Sequence, residues 1–262
     1  MYKRLHLYNL KEGAMKAKIL LILVSIMLSL VACSSDNNSS PSNDEGESKS
    51  GIIEIDWVDF VVLNDINYHR GYMDNYKLQK DKVGKVIGKV EFTVANNIYD
   101  PKYKVKNGDA AFLEKGTNIY KLKDYSTNFR VAVYSNNEWI LYEADSNPKA
   151  QIGEDLLDIN NKVTRIGINS ETDGKTELAT INDKATINKL VEFVLTAKIN
   201  QNNDNYNGER YFIKFYLDDG TYVNRCYWLE SGELSSGIML SEEFGSVIKD
   251  FLKKQARTGE LK

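Results

Sequence analysis

The chain has 262 residues, and its 34 Lys and Arg against 37 Asp and Glu give a formal charge of -3. That balance lacks the basic surplus a nucleic-acid binder uses to neutralise phosphates. Two Cys and two His are too few for a zinc finger or a disulfide scaffold, and the length suits one large domain or two small ones.

Lys16 and Lys18 precede an apolar run from Ile19 to Ala32, broken only by Ser25 and Ser29. Charged, apolar and small residues in that order predict a secretory signal peptide over residues 1–32. Its end, Leu30-Val31-Ala32-Cys33, resembles the lipobox of bacterial lipoproteins. In that family the Cys thiol receives a diacylglyceryl group and the peptide is cut just before it. The resemblance therefore implies that Cys33 bears lipid as the first residue of the mature chain. The alternative is an uncleaved anchor, but the uncharged stretch Ile19 to Ser35 has 17 residues, at the short limit for a core of about 30 Å. Met15, which opens Met-Lys-Ala-Lys, is the expected translation start.

Cleavage before Cys33 removes five basic residues and one acid, so 34 and 37 become 29 and 36, a net charge of -7. It also removes His6, leaving His69 as the one histidine. With Cys33 capped, Cys226 is a single free thiol. Residues 33–51 are expected to form a lipidated, disordered tether, since Ser34 to Gly51 holds no large apolar residue. Eighteen such residues reach about 25 Å.

Residues 52–147 read as a β-rich module. The runs Phe60 to Leu63, Ile66 to Tyr68, Val83 to Val94, Thr117 to Leu122, Phe129 to Tyr134 and Glu138 to Tyr142 are β-branched and aromatic. Asn64-Asp65 and Asn136-Asn137 read as turns, the second closing a hairpin. The composition predicts a small antiparallel sheet or barrel with no helix. Ser146-Asn147-Pro148 then marks a break.

Residues 160–254 predict the order ββαβββα. Val163 to Ile168 and Thr176 to Ile181 flank the turn at Asp173-Gly174, and Asn182 or Asp183 caps a helix. Its face is Ile187, Leu190, Val191, Val194 and Leu195, the i, i+3, i+4, i+7, i+8 spacing. Tyr211 to Leu217 and Tyr222 to Trp228 flank Asp218-Asp219-Gly220-Thr221, followed by a short strand, Gly237 to Leu240. Ser241 caps a last helix with Phe244, Val247, Ile248, Phe251 and Leu252 on one face. The fold class expected is α+β: an all-β module, then a module with two helices on one face of an antiparallel sheet.

This second module resembles the YhfM-like domain of Bacillus-type lipoproteins. The resemblance rests on Thr180-Ile181-Asn182-Asp183-Lys184, the helix through Leu195, Tyr211-Phe212-Ile213-Lys214-Phe215, Asp219-Gly220 and Tyr227-Trp228-Leu229. It implies a lipoprotein of a Gram-positive cell membrane and brings no catalytic residue.

Nucleophilic catalysis needs a histidine beside the nucleophile, and only His69, expected in a loop, is available. Cys226 reads as a mid-strand, inert thiol. Asn203-Asp204-Asn205-Tyr206-Asn207-Gly208 mimics a calcium loop, but the twelfth position is Lys214 rather than Glu. Gly84 and Gly88 lack the Gly-Lys-Ser/Thr of a phosphate loop. Tyr68, Tyr72 and Tyr76 form the candidate ligand surface, since aromatic faces stack on sugars and peptides. The expectation is a lipid-anchored, extracytoplasmic, non-enzymatic binding module without cofactor or metal. It meets the membrane through Cys33 and takes an envelope protein, peptide or glycan, with no nucleic acid. The alternatives are an envelope hydrolase using carboxylates and a structural subunit of an envelope complex.

Overall fold

A computed structural model describes residues 55–71, 73, 76–202 and 206–258. The signal peptide, Cys33, the tether, Tyr72 and the centre of the calcium-like loop lie outside the described residues.

The turn dipeptides set the first pairings. Asn64 and Asp65 have φ of 55° and 69°, and Asn136 and Asn137 have 50° and 63°. Positive φ at both central residues is the backbone twist that a two-residue hairpin needs. These turns join β1 (Phe60–Leu63) to β2 (Ile66–Arg70) and β7 (Arg130–Ser135) to β8 (Glu138–Ser146). The other strands of the first sheet are β3 (Val83–Lys89), β4 (Phe92–Thr93), β5 (Asp109–Ala110) and β6 (Asn118–Leu122). The sheet order is β3-β6-β7-β8-β2-β1-β5-β4, antiparallel except between β4 and β5.

The second sheet opens with β9 (Val163–Asn169) and β10 (Glu177–Ile181), then α1 (Lys184–Thr196). Asp183 caps α1, accepting from the Thr186 backbone N–H at 2.8 Å. The strands β11 (Lys198–Ile199), β12 (Arg210–Leu217), β13 (Tyr222–Trp228), β14 (Glu233–Leu234) and β15 (Ile238–Met239) follow, and α2 (Glu242–Thr258) ends the described chain. The order is β10-β9-β12-β13-β14-β15-β11. The α1 residues Ile187, Leu190, Val191, Val194 and Leu195 are all buried, as are Phe244 and Ile248 of α2.

The expected α+β class is corrected by this architecture. Among the described residues the fold is β-rich, with 38% strand against 18% helix, in sheets of eight and seven strands. The order ββαβββα fails because five strands, not three, separate α1 from α2. β11 and β14 are two residues long, too short to show the alternation by which a strand is read. The first sheet is likewise larger than the small antiparallel sheet expected, and contains a parallel pair.

One apolar core runs through both sheets. Val61, Phe129, Val131 and Tyr142 from the first continue through Leu156, Leu157 and Ile159 of the connection to Ile166, Phe215 and Phe244. The described residues lie in one compact unit. Gly153 sits in a short 3₁₀ turn so close to α1 that an added Cβ would lie 1.9 Å from the Val194 carbonyl oxygen.

Candidate functional site

Two arginines, one from each sheet, tie the sheets together. Arg130 is fully buried at the start of β7 and donates through Nε (3.0 Å) and Nη2 (2.5 Å) to Oε1 of Glu143 on β8. It also donates to Oγ1 of Thr221 (2.8 Å) and to the Tyr222 carbonyl (3.0 Å) at the start of β13. The rings of Tyr125 and Phe129 lie 4.8 and 4.6 Å from the guanidinium carbon. In the reverse direction, Arg225 of β13 donates through Nη2 to the Ala144 carbonyl of β8 at 3.0 Å. Every charge buried here has an opposite charge or a hydrogen bond, the condition for keeping ions out of water.

Around these ties, three adjoining depressions follow β8. The first, of 210 Å³, uses Met73, Tyr76, Glu138 and Trp139. The second, of 240 Å³, shares Arg70, Gly71 and Met73 with it, then adds His69 and Glu143 from one sheet and Tyr222, Asn224 and Arg225 from the other. The third, of 380 Å³, shares Asp145 with the second and adds Asn200, Gln201, Tyr206, Glu233 and Ser236. Nine residues of β8 span about 30 Å, so the run is long enough for several units of a polymer. β2 makes room for it by leaving β8 at Gly71, whose backbone N–H donates to the Leu141 carbonyl at 2.9 Å.

Two lining atoms are buried without a hydrogen-bond partner among the described residues: Nε of Arg225 and Oγ of Ser236. Such atoms are uncommon in folded proteins, because each forfeits the hydration of a polar group. Ser236 also has φ of 75°, a left-handed backbone that a non-glycine residue adopts at a cost.

No protein-family model matches the chain, and a search of curated proteins finds no match. A solved structure, the NMR structure of the lantibiotic immunity protein SpaI, is similar to it at 19% identity. The similarity covers 43% of this chain and 95% of that chain, with a TM-score of 0.22. A likeness at that score is too slight to carry fold or function from one chain to the other.

Of the three tyrosines of the candidate surface, Tyr68 and Tyr76 fall among the described residues and differ in exposure. Tyr68 is 1% exposed, and its hydroxyl donates to the Thr127 carbonyl at 2.7 Å. Burial holds that phenol far above the ordinary range, and its ring faces are taken up by the core. Tyr76 is half-buried and lines the first depression. Burial, with the charge of Asp219, raises its pKa. His69 lies in β2 rather than in a loop, with Nδ1 3.7 Å from Asp145 and Nε2 3.4 Å from the Asn67 amide. Cys226 is half-buried in β13, and burial pushes its thiol pKa up. Among the described residues no group of three His, Cys, Asp or Glu side chains is placed to hold a metal. No described helix is long and apolar enough to cross a membrane.

The residues that line the run were not visible as a site in the sequence. Asp145, Tyr206 and Glu233 come from three separate segments that only the sheet pairing and the connecting loops bring together. Ser235-Ser236-Gly237 was the one local clue, a small polar break beside a short strand.

Proposed function

We propose that the protein is a lipid-anchored, extracytoplasmic binding module whose ligand lies along β8. Cys33 carries the lipid, residues 34–51 act as the tether, and the three adjoining depressions receive an extended peptide or glycan strand. The observation that supports binding best is that run of depressions, walled by both sheets and containing two buried polar atoms without partners. Its length suits a chain-like ligand better than a compact metabolite. Two acyl chains, at about 0.8 kcal/mol per buried methylene, would hold such a module stably at a membrane.

Two measurements test the anchor and the groove separately. Cells labelled with radioactive palmitate should incorporate label into the full-length protein, and Cys33→Ala should remove the label and leave the longer precursor. Label persisting on Cys33→Ala would end the lipoprotein reading. For the groove, a photo-crosslinker at the exposed Asn224 should capture an envelope peptide or glycan in the native membrane. Gly71→Trp should block that capture. A Cβ at Gly71 meets its nearest atom at 3.5 Å, an ordinary contact, so the backbone there admits a side chain. Capture undiminished in Gly71→Trp, at an unchanged melting temperature, would move the ligand elsewhere.

A further inference from the structure

The first sheet carries a second, smaller apolar cluster on the face away from the main core. Phe60 and Val62 of β1 alternate with Val61, so they point to the opposite side of the sheet, where Val94 and Ala111 join them. Trp57, Ile98 and Tyr103 pack against this cluster and are only partly buried. Four of the seven exposed large apolar residues among the described ones adjoin its members in the chain. Val58 follows Trp57, Tyr99 follows Ile98, Phe112 follows Ala111, and Val105 lies two residues after Tyr103. Apolar residues exposed singly are ordinary, but a concentration of them marks an interaction surface. None of these residues lines the groove along β8.

Charge is added to the same surface. From Ile98 to Lys106 the chain reads Ile-Tyr-Asp-Pro-Lys-Tyr-Lys-Val-Lys, three lysines against one acid in a chain of net charge -3. Lys102, Lys104 and Lys106 are exposed, and their ammonium groups have no ion pair among the described residues. The carboxylates nearby are occupied in shaping the loop. Asp100 accepts from the Lys102 backbone N–H at 2.9 Å, and buried Asp109 accepts from the Tyr103 hydroxyl at 2.8 Å and the Lys106 backbone N–H at 2.9 Å. The Tyr99 hydroxyl donates to the Asn96 carbonyl at 3.0 Å, which leaves its ring exposed. Asp56, exposed beside Trp57, is the opposing charge on the segment that enters the fold.

We propose that this face docks on the anionic headgroups of the bilayer that holds the lipid. Val58, Tyr99 and Val105 enter the headgroup region, where aromatic side chains are favoured, and Lys102, Lys104 and Lys106 pair with lipid phosphates. The inference rests on Cys33 bearing lipid and adds which surface of the folded part meets the membrane. The described chain begins at Ile55, two residues before Trp57. A tether reaching about 25 Å therefore delivers the Trp57 end of the fold to the bilayer. Tethering also makes docking intramolecular, so a surface too weak to bind vesicles alone suffices.

The test uses the processed, lipidated chain in vesicles, with a bimane probe on Val105→Cys in a Cys226→Ser background that leaves one thiol free. In vesicles of phosphatidylcholine and phosphatidylglycerol, lipid brominated on its acyl chains should quench the probe at least about twofold more than in phosphatidylcholine alone. Lys102→Gln/Lys104→Gln/Lys106→Gln should reduce quenching to the phosphatidylcholine level at an unchanged melting temperature. Lys184→Gln/Lys253→Gln/Lys254→Gln, on the two helices, should leave it unchanged and so controls for net charge. Equal quenching in both kinds of vesicle, or undiminished quenching in the loop variant, overturns the proposal. A chain that floats with vesicles while its probe stays unquenched overturns the docking and leaves the anchor standing. A chain that floats with neither kind of vesicle overturns the anchor and the docking together.

Discussion

Glu143 and Arg130 face each other across β7 and β8, and the pair ties the groove's lining to the second sheet. Glu143 lines the middle depression, while Arg130 reaches Thr221 and Tyr222 of the second sheet. Removing one partner leaves the other charged and buried. Arg130→Met or Glu143→Gln should therefore cost about 3–5 kcal/mol in urea unfolding. The double variant Arg130→Met/Glu143→Leu should cost less than the sum of the singles, because neither charge is then stranded. Additive losses would show that the pair does not act as a unit.

A second tie responds to acid. Asp219, in the turn between β12 and β13, accepts from the Tyr125 hydroxyl of the first sheet at 2.7 Å. It also accepts from the Thr221 backbone N–H at 2.9 Å and from its hydroxyl at 2.6 Å. Burial alone would raise its pKa, but the hydrogen bonds from Thr221 and Tyr125 and the charge of Arg130 outweigh it, and the carboxyl sits below the ordinary range. The unfolded chain thus takes up this proton more readily than the folded one. The stabilisation is complete above the unfolded value of about pH 3.9 and is lost as pH falls through the folded value. Asp219→Asn should lower stability at pH 7 and flatten the decline in stability below about pH 4. An unaltered acid slope in the variant would remove Asp219 from the account of acid unfolding.

The sequence made some of this structure legible and hid the rest for physical reasons. The face of α1 and the Asn-Asn turn before β8 are local patterns, readable because helix period and turn dihedrals depend on neighbouring residues alone. Strand order is not local: β2 lies beside β8 and β9 beside β12, pairings that no short window encodes. Tyr68 was legible but read by the wrong rule. In β2, Ile66 and Tyr68 are both buried while Asn67 and His69 stay partly exposed, so the period of two already assigned Tyr68 to the core. Grouping it with Tyr72 and Tyr76 as an aromatic ligand surface weighed its ring chemistry and not its place in the strand. The groove was hidden altogether, since its lining converges only after both sheets have formed.

The turn at Gly153 tests how tightly the connection between the sheets is fitted. Its backbone N–H donates to the Ala197 carbonyl at 2.9 Å, which brings its Cα against the last turn of α1. An alanine methyl would occupy the space of the Val194 carbonyl oxygen, and backbone cannot rotate aside as a side chain does. Gly153→Ala should destabilise by about 3 kcal/mol, the upper part of the range for overpacking. Gly220→Ala offers a contrast, because nothing lies within 4 Å of its added Cβ and its cost is confined to a φ of 84°. If Gly153→Ala unfolds at the same urea concentration as wild type, the connection is free to move away from α1.

Cys226 reports on the outer surface of the second sheet. It lies opposite Phe212 in the register of β12 and β13, and its backbone N–H donates to Oγ of Ser235 at 3.2 Å. Burial is the main reason that its thiol pKa is raised, with Glu171 adding to the shift and Arg210 opposing it. The reactive species in alkylation is the thiolate, so a raised pKa and a half-covered sulfur both slow the reaction. In a Cys33→Ala chain, where this is the one remaining thiol, iodoacetamide at pH 8 should react at least about tenfold more slowly than in urea. The folded rate should also keep rising with pH after the unfolded rate has levelled off, because the folded thiol ionises at higher pH. Equal rates in the two states would mean that β13 exposes its sulfur fully, and that Phe212 does not cover it.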